Sequence, residues 1–134
     1  MEFVFFTNEF EEVLDLVKES FNIKIDHNIF NLQDNQKILL LKDNGKVIGL
    51  TMITLKYDPF KNQKTYYLDY ICIKEEYRHQ KLGKKMFDKV MEIAIENEID
   101  NIELTSNKNR VEARNMYMNC GMNIKDTDVF VKQV

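Results

Sequence analysis

The sequence has few of the residues that interrupt or cross-link a chain: one proline, four glycines, two cysteines and no tryptophan among 134 residues. No proline-rich or glycine-rich linker divides it, and its length suits one compact domain. The cysteines, Cys72 and Cys120, stand far apart with no histidine beside them, so neither a disulfide framework nor a metal site is indicated. Unpaired thiols are typical of the reducing cytoplasm, where we expect the protein to act.

Neither a long apolar run nor an excess of positive charge is present. The sequence has 19 basic and 22 acidic residues, and the resulting net charge of −3 does not attract nucleic acid. The apolar runs are strand-sized, well below the ~20 residues that cross a bilayer, and the first residues lack the basic leader of a secretory signal. We therefore expect no nucleic-acid or membrane partner. The hydrophobic share of 44 % is enough for a folded core.

Helical and strand periodicities alternate along the chain. Strands are predicted over residues 1–7, 37–42, 47–57, 65–73, 101–105, 122–125 and 128–132. The first helix is predicted to follow Asn8 as its cap, with Glu11 at the capping-box position, and a short second helix is predicted between Ser20 and Gln36. Two further amphipathic helices are predicted over residues 82–97 and 111–119.

Turn chemistry and chain order predict how these elements assemble. Asn44 and Gly45 lie between two apolar runs and predict a β-hairpin, and Gly121 is positioned to end the last helix. A strand, a crossover helix and another strand in one sheet make a right-handed unit, so the strands on either side of the long helix are predicted to be parallel. The expected fold is a single α/β (α+β) domain of order βααβββαβαββ with a mixed, mostly antiparallel sheet.

The segment that joins the fourth predicted strand to the long helix is basic. Arg78, Lys81, Lys84 and Lys85 cluster at the helix start, where each positive charge opposes the helix dipole by about 0.3–1 kcal/mol. The unpaired amides of a helix start bind anions such as phosphate, so one interpretation is that an anion compensates these charges. A solvated loop with scattered charges is the other interpretation. Ligands of open sheets bind at the carboxyl ends of parallel strands, which favours the anion.

Three segments resemble motifs of the Gcn5-related N-acetyltransferase (GNAT) superfamily. Residues 78–83 resemble its acetyl-CoA diphosphate loop, residues 113–122 resemble its signature Ala-x-x-x-Tyr-x-x-x-Gly-Phe, and residues 68–73 resemble its fourth strand. The first two segments read Arg78-His79-Gln80-Lys81-Leu82-Gly83 and Ala113-Arg114-Asn115-Met116-Tyr117-Met118-Asn119-Cys120-Gly121-Met122. The predicted element order is likewise that of the superfamily, in which strands four and five are parallel and splayed. The resemblance therefore covers nearly the whole chain.

The resemblance implies acetyl-CoA as co-substrate and no metal. The residues that it assigns to acetyl-CoA are Ile71, Cys72, Ile73, Arg78, His79, Gln80, Lys81, Leu82, Gly83, Lys84, Asn109, Arg110 and Tyr117. Two positions depart from the family pattern. Lys81 replaces the first glycine of the loop, where a left-handed backbone costs a non-glycine residue about 1–2 kcal/mol. Arg110 stands where many members have an asparagine, and Asn109 is a nearby substitute.

Two side chains are the catalytic candidates under this resemblance. The family assigns the tyrosine of the second motif, here Tyr117, to protonate the departing thiolate, and packing in the core is the alternative for this residue. Asp69 is the candidate that accepts the proton of the amine or anchors its ammonium, and a solvent-facing carboxylate is the alternative. Glu103 on the next strand is a weaker candidate for the same role.

The activity that the resemblance implies is direct transfer of the acetyl group from acetyl-CoA to an amine, without a covalent enzyme intermediate. A catalytically weak or inactive module that binds CoA or a protein partner is the alternative, because of Lys81 and the ambiguous base. No motif identifies the acceptor, which is a small-molecule or peptide amine. The oligomeric state stays open, and a homodimer is one expectation because members of the family often dimerise.

Overall fold

A computed structural model describes residues 1–25 and 31–134 of the chain. The strands are β1 (Glu2–Phe5), β2 (Gln36–Asp43), β3 (Lys46–Asp58), β4 (Gln63–Ile73) and β5 (Asn101–Leu104). The helices are α1 (Phe10–Phe21), α2 (Leu82–Glu96) and α3 (Val111–Asn119), and a 3₁₀ turn spans Glu75–Tyr77. In the part of the chain so described, no helix is both long and apolar enough to cross a membrane.

The strands form one sheet in the order β1-β2-β3-β4-β5. The first four are antiparallel neighbours, and β4 and β5 are parallel because α2 crosses over between them. This confirms the predicted α/β fold class with a mixed, mostly antiparallel sheet. The two parallel strands pair from Thr65 with Asn101 to Leu68 with Leu104, and β4 then continues to Ile73 after β5 has ended. Among the described residues, no strand therefore pairs with the last residues of β4 on the β5 side.

Helices cover both faces of the sheet, which explains the uninterrupted apolar run in β2. Leu40, with no exposed surface, packs on the face covered by α1, whereas its neighbour Leu39, 1 % exposed, packs on the face covered by α2. On the α1 side, the buried residues are Val13, Leu16, Val17, Ile38, Leu40, Val47, Leu50 and Cys72. On the α2 side, they include Leu39, Ile53, Tyr66, Leu68, Leu82, Met86, Phe87 and Val90. The α1 and α2 helices are thus held on opposite sides of the sheet.

Both predicted positive-φ turns are confirmed. Asn44 and Gly45 have φ angles of 50° and 80° in the turn between β2 and β3, a conformation that these two residue types tolerate well. Gly121 has a φ of 89° directly after α3. Its amide donates to the Met118 carbonyl at 3.0 Å, and the Met122 amide donates to the Tyr117 carbonyl at 3.1 Å. This pattern satisfies the last carbonyls of the helix and ends it where the sequence indicated.

The predicted cap of α1 is wrong by one residue. The residue at the N-cap is Glu9, not Asn8, and no side-chain hydrogen bond caps the helix. The Glu9 carboxylate instead accepts hydrogen bonds from the amides of Thr7 and Asn8, at 3.1 and 2.9 Å. Because its side chain is longer than that of asparagine, Glu9 reaches back to the residues before the helix, and Lys42 forms an ion pair with it at 3.5 Å.

The predicted second helix lies partly outside the described residues, and the two predicted final strands differ from the structure. The second helix, predicted between Ser20 and Gln36, falls partly on residues 26–30, and the described residues on either side, 22–25 and 31–35, hold no helix. The two final strands, predicted over residues 122–125 and 128–132, are not formed. The backbone groups of a strand need hydrogen-bond partners in a neighbouring strand. Residues 123–134 are exposed and do not pair with β5.

We expect Leu40→Ala to lower the free energy of unfolding by about 2–5 kcal/mol, because it leaves a cavity between α1 and the sheet. Urea denaturation followed by circular dichroism measures the change. The control is Ile95→Ala on the outer face of α2, where the side chain is 71 % exposed, and its expected effect is less than about 0.5 kcal/mol. Equal effects of the two variants would contradict the packing described for this face.

Candidate functional site

A groove of about 760 Å³ lies where β4 ends, between the start of α2, the α3 helix and the end of α1. The residues that line it are Ser20, Phe21, Ile71, Cys72, Ile73, Tyr77, Arg78, His79, Lys81, Leu82, Gly83, Lys84, Arg110, Glu112, Ala113, Met116, Tyr117 and Asn119. One wall is apolar and the loop before α2 is basic. The groove can therefore hold a ligand that has both a chain of low polarity and an anionic group.

A β-bulge in β4 lies beside the groove. The register between β3 and β4 shifts at Thr51, opposite which β4 has two residues, Tyr70 and Ile71. Tyr70 has a left-handed φ of 56°, a conformation that costs a non-glycine residue about 1–2 kcal/mol. The buried Thr51 hydroxyl donates to the Asp69 carbonyl at 3.2 Å and braces this conformation. A bulge bends its strand locally, and this one directly precedes Ile71, Cys72 and Ile73, the last residues of β4.

The loop between β4 and α2 is attached to its surroundings at three points. The Arg78 guanidinium donates through Nε to the carbonyl of Ile73, at 2.9 Å, which ties the loop to the end of β4. The Tyr77 hydroxyl donates to the Asp43 carboxylate at 3.1 Å. On the α3 side, His79 Nδ1 lies 3.3 Å from a carboxylate oxygen of Glu112. These contacts define the path of the basic loop along the groove.

The start of α2 lacks the features that usually compensate a helix N-terminus. Lys81 occupies the N-cap position with a left-handed φ of 60°, as the loop motif predicted for this position, and no described side chain caps the helix. No acidic residue lies in the first turn. The first helical hydrogen bond runs from the Lys85 amide to the Lys81 carbonyl, so the amides of residues 82–84 precede it. This end of the helix therefore presents backbone donors and positive charge together.

Gly83 is a contact point between α2 and α3. A Cβ atom on Gly83 would lie 3.0 Å from the Met116 sulfur, so α3 approaches the start of α2 as closely as a glycine allows. The resemblance assigns Gly83 to the acetyl-CoA loop, and the structure adds that Met116 occupies part of the space beside it. A side chain at this position would therefore displace the Met116 thioether.

Tyr117 is a buried polar residue in the wall of the groove. Only 8 % of its surface is exposed. Burial raises the pKa of its phenol above the ordinary value, while the positive charge of Arg110 acts in the opposite direction. Arg110 directly precedes α3, and its guanidinium lies 5.9 Å from the centre of the Phe21 ring at the end of α1. Tyr117 therefore keeps its proton at neutral pH beside a cation.

The thiol in the groove is unsuited to nucleophilic attack. Cys72 is buried at the end of β4, and burial raises the pKa of its thiol to about 11. At neutral pH it stays protonated, whereas thiol nucleophiles act as thiolates. Among the described residues, no group of three or more histidine, cysteine, aspartate or glutamate side chains is arranged to hold a metal ion.

Most residues predicted from the sequence lie together in this groove. The exceptions are Gln80 and Asn109, which do not line it, and the exposed Asp69, which precedes the bulge. Glu103 lies on the neighbouring strand, β5. A hydrogen bond from the Tyr67 hydroxyl holds the pKa of its carboxyl below the usual range.

Several residues of the groove were not predicted from the sequence. They are Ser20, Phe21, Tyr77, Glu112, Ala113, Met116 and Asn119. For α3 a signal was present, since the helical spacing of Ala113, Met116 and Tyr117 puts them on one face. Ser20 and Phe21 reach the groove through the packing of α1 on the sheet, for which the local sequence carries no signal.

The sequence matches the acetyltransferase (GNAT) family over residues 5–122. Among curated proteins, none matches it. The fold is similar to that of a ribosomal-protein-alanine N-acetyltransferase from Brucella melitensis biovar Abortus 2308, with a TM-score of 0.85, 15 % identity and full coverage of both chains.

Two further structures have the same fold. An aminoglycoside acetyltransferase, meta-AAC0020 from an uncultured soil metagenomic sample, solved with sisomicin, has a TM-score of 0.83 and 14 % identity over 99 % of this chain and 95 % of its own. The BH1408 protein of Bacillus halodurans, solved as a tetramutant, has a TM-score of 0.79 and 20 % identity over 99 % of this chain and all of its own.

We expect Lys81→Gly to raise the free energy of unfolding by about 1 kcal/mol, since glycine adopts the left-handed conformation at this position without strain. The control is Lys85→Gly one turn further into α2, where glycine lowers the free energy of unfolding by about 1 kcal/mol. Urea denaturation without ligand measures both. A loss of stability in Lys81→Gly would contradict the backbone conformation assigned to this loop.

Proposed function

Because the chain belongs to the acetyltransferase (GNAT) family, we propose that it transfers the acetyl group of acetyl-CoA directly to an amine. We further propose that it acts in the cytoplasm, without a metal, and on a small-molecule or peptide amine. The observation that carries this proposal is the start of α2, where backbone donors and basic side chains meet at one end of an apolar groove.

The basic end of the groove suits the diphosphate of acetyl-CoA. The amides of residues 82–84 and the helix dipole together favour a phosphate at this position. Lys81, Lys84 and Arg78 line the same end and add charge-assisted hydrogen bonds to phosphate oxygens. The Nε of Arg78 donates a hydrogen bond to the carbonyl of Ile73. The two terminal nitrogens of its guanidinium are the donors that we assign to the diphosphate.

The remainder of the groove suits the pantetheine arm. After Leu68 the β5 side of β4 has no strand neighbour, so the backbone groups of residues 71–73 can hydrogen-bond an extended amide-containing chain as a sheet edge does. An amide near Ile71, just after the bulge, is the donor that we assign to the carbonyl oxygen of the acetyl group. One such donor, directed at a developing oxyanion, is worth about 3–4 kcal/mol.

Tyr117 is the proposed general acid. When bound, acetyl-CoA supplies the activated acetyl group, and the chain has to return a proton to the thiolate that leaves. Tyr117 is buried, lines the groove and retains its phenol proton at neutral pH. Burial raises the pKa of this phenol, and the positive charge of Arg110 offsets part of that rise.

The proton of the attacking amine needs an acceptor. An amine like that of lysine has a pKa of about 10.4 and must be deprotonated before it attacks. We retain Asp69 as the candidate, through a water molecule, because it is exposed immediately before the bulge. Glu103 is the second candidate, and its lowered pKa keeps it ionised at neutral pH. An anion of either kind also attracts the ammonium form of the substrate.

The alternative is a module of the same fold that binds CoA or a protein partner without turnover, and it is motivated by Lys81 in place of a glycine. A thermal melt with acetyl-CoA, followed by an assay of thiol release with a panel of amines, separates the two. We expect a rise in Tm and thiol release that depends on an amine. A rise in Tm without thiol release under any amine would favour the module that binds CoA. No rise would contradict acetyl-CoA binding and leave only the module that binds a protein partner.

We expect Gly83→Val to weaken acetyl-CoA binding roughly tenfold or more, because the added side chain forces Met116 and the α2 start out of position. Isothermal titration calorimetry measures the Kd. The double variant Gly83→Val/Met116→Ala restores space between the helices, and recovery of the Kd in it would show that helix packing is the whole effect. An unchanged Kd in Gly83→Val would contradict the proposed binding site.

For Tyr117→Phe we expect kcat to fall by about a hundredfold or more, with the Kd for acetyl-CoA changed little, since only the hydroxyl group is lost. Burial raises the pKa of the Tyr117 phenol above its ordinary value, so the wild type has no falling limb near neutral pH and the variant keeps the same rising limb from the amine. Asn115→Ala, on the exposed face of α3, is the control with unchanged kcat. Unchanged kcat in Tyr117→Phe would remove the assignment.

A further inference from the structure

Arg110 is a cation in the groove that no described carboxylate neutralises. It directly precedes α3, it is exposed, and it lines the groove. Within residues 1–25 and 31–134, no ion pair joins Arg110 to an acidic side chain. Glu112, in the first turn of α3, contacts His79 instead. Because a guanidinium is not deprotonated in proteins, this part of the groove offers a permanent positive charge to a ligand.

The Arg110 side chain extends toward the end of α1. Its guanidinium carbon lies 5.9 Å from the centre of the Phe21 ring, within the range of a cation–π contact. The Phe21 ring in turn meets the Tyr70 ring edge to face, with the ring centres 5.3 Å apart. Tyr70 belongs to the bulge of β4, so the bulge and the end of α1 together position the surface on which Arg110 lies. An aromatic pair therefore adjoins the free guanidinium.

A hydroxyl group without a partner lies at the same end of α1. Ser20 lines the groove, yet its hydroxyl oxygen is shielded from solvent, and no described group meets hydrogen-bond geometry with it. Burial raises the pKa of the neighbouring Cys72 thiol, whereas the Ser20 hydroxyl and the Arg110 charge act to lower it, so both groups lie close to this thiol. Buried polar groups without a hydrogen bond are rare in native proteins. Rotation about one side-chain bond lets this hydroxyl donate to a ligand in the groove.

These groups lie on the opposite side of the sheet from the proposed diphosphate site. Phe21 and Cys72 pack on the face of the sheet that α1 covers, whereas Ile71 and Ile73 pack on the face that α2 covers. The diphosphate is assigned to the start of α2. Since acetyl-CoA would then approach the end of β4 from the α2 side, the α1 side with Arg110 is left for the acceptor.

We propose that Arg110 binds a carboxylate of the acceptor and that the Ser20 hydroxyl donates a second hydrogen bond to it, so that the acceptor is an amine with a carboxylate, as in an amino acid. This inference rests on the proposed acetyl transfer and names the class of its acceptor. A planar guanidinium matches the two oxygens of a carboxylate. The Phe21 and Tyr70 rings suit an apolar part of the same molecule. Asp69, directly before Tyr70, stays the candidate that receives the proton of the amine.

The test compares each standard amino acid with its own carboxamide, which keeps the amine and the side chain but has no charge at the carboxyl group. Thiol release from acetyl-CoA gives kcat/KM for both. We expect kcat/KM to be roughly tenfold or more higher for the preferred amino acid than for its carboxamide. The carboxylate also raises the pKa of the amine beside it. Because this lowers the share of free amine at neutral pH, it acts against the expected preference and cannot produce it.

Arg110→Gln removes the charge and keeps a side chain that packs on Phe21. We expect the ratio of kcat/KM, amino acid over carboxamide, to fall to about one, with the Kd for acetyl-CoA changed by less than about twofold. The matched control is Lys108→Gln, which removes the same charge from an exposed residue outside the groove and keeps the ratio. Ser20→Ala is expected to lower the ratio about threefold or more without lowering the Tm, since it removes a hydroxyl that has no partner. A thermal melt without ligand checks that all three variants are folded.

Binding without turnover separates a failure of this inference from a failure of the proposed function. With CoA in excess no acetyl group is present, and calorimetry gives the Kd of the amino acid and of its carboxamide directly. Equal Kd values together with equal kcat/KM would overturn the carboxylate site and leave acetyl transfer intact. A weaker Kd for acetyl-CoA in Arg110→Gln with an unchanged ratio would assign Arg110 to acetyl-CoA and overturn the inference as well. If no amine gave thiol release, the proposed function would fail, and the two Kd values alone would decide the carboxylate site.

Discussion

The hydrogen bond from the Thr51 hydroxyl to the Asp69 carbonyl underlies the site, because it braces the bulge at Tyr70. Since β5 ends at Leu104, opposite Leu68, no described strand pairs with the later residues of β4 on that side. The bulge directly precedes Ile71, Cys72 and Ile73, which line the groove beside the start of α2. The unfavourable φ of Tyr70 is tolerated because the surrounding structure determines the local backbone. The buried Thr51 side chain holds the bulge, and β3 and β4 are paired both before and after it.

Local chemistry made much of the fold predictable. The bounds of α3 follow from its apolar face and from Gly121, whose positive φ ends the helix. Asn44 and Gly45 predicted the turn between β2 and β3 for the same conformational reason. The left-handed Lys81 was predictable because a loop motif requires that backbone shape whichever residue supplies it. In each case a few adjacent residues determine the conformation.

Features that depend on tertiary packing were beyond the sequence. Phe21 joins the groove only because α1 lies across one face of the sheet, and Met116 meets Gly83 only because α3 packs against α2. The cap of α1 was missed because the longer side chain of Glu9 reaches back to the amides of Thr7 and Asn8, and the helix begins one residue later than predicted. The strand pattern over residues 128–132 led to a wrong prediction, because a pattern alone cannot specify a neighbouring strand for the backbone to pair with.

The hydrogen bond between Tyr77 and Asp43 connects the basic loop to the turn between β2 and β3, which is distant from it in sequence. The hairpin that carries Asp43 contributes no residue to the groove, yet it holds one end of the loop that follows β4. A change in the length or shape of that hairpin can therefore move the basic loop while every residue that lines the groove stays the same.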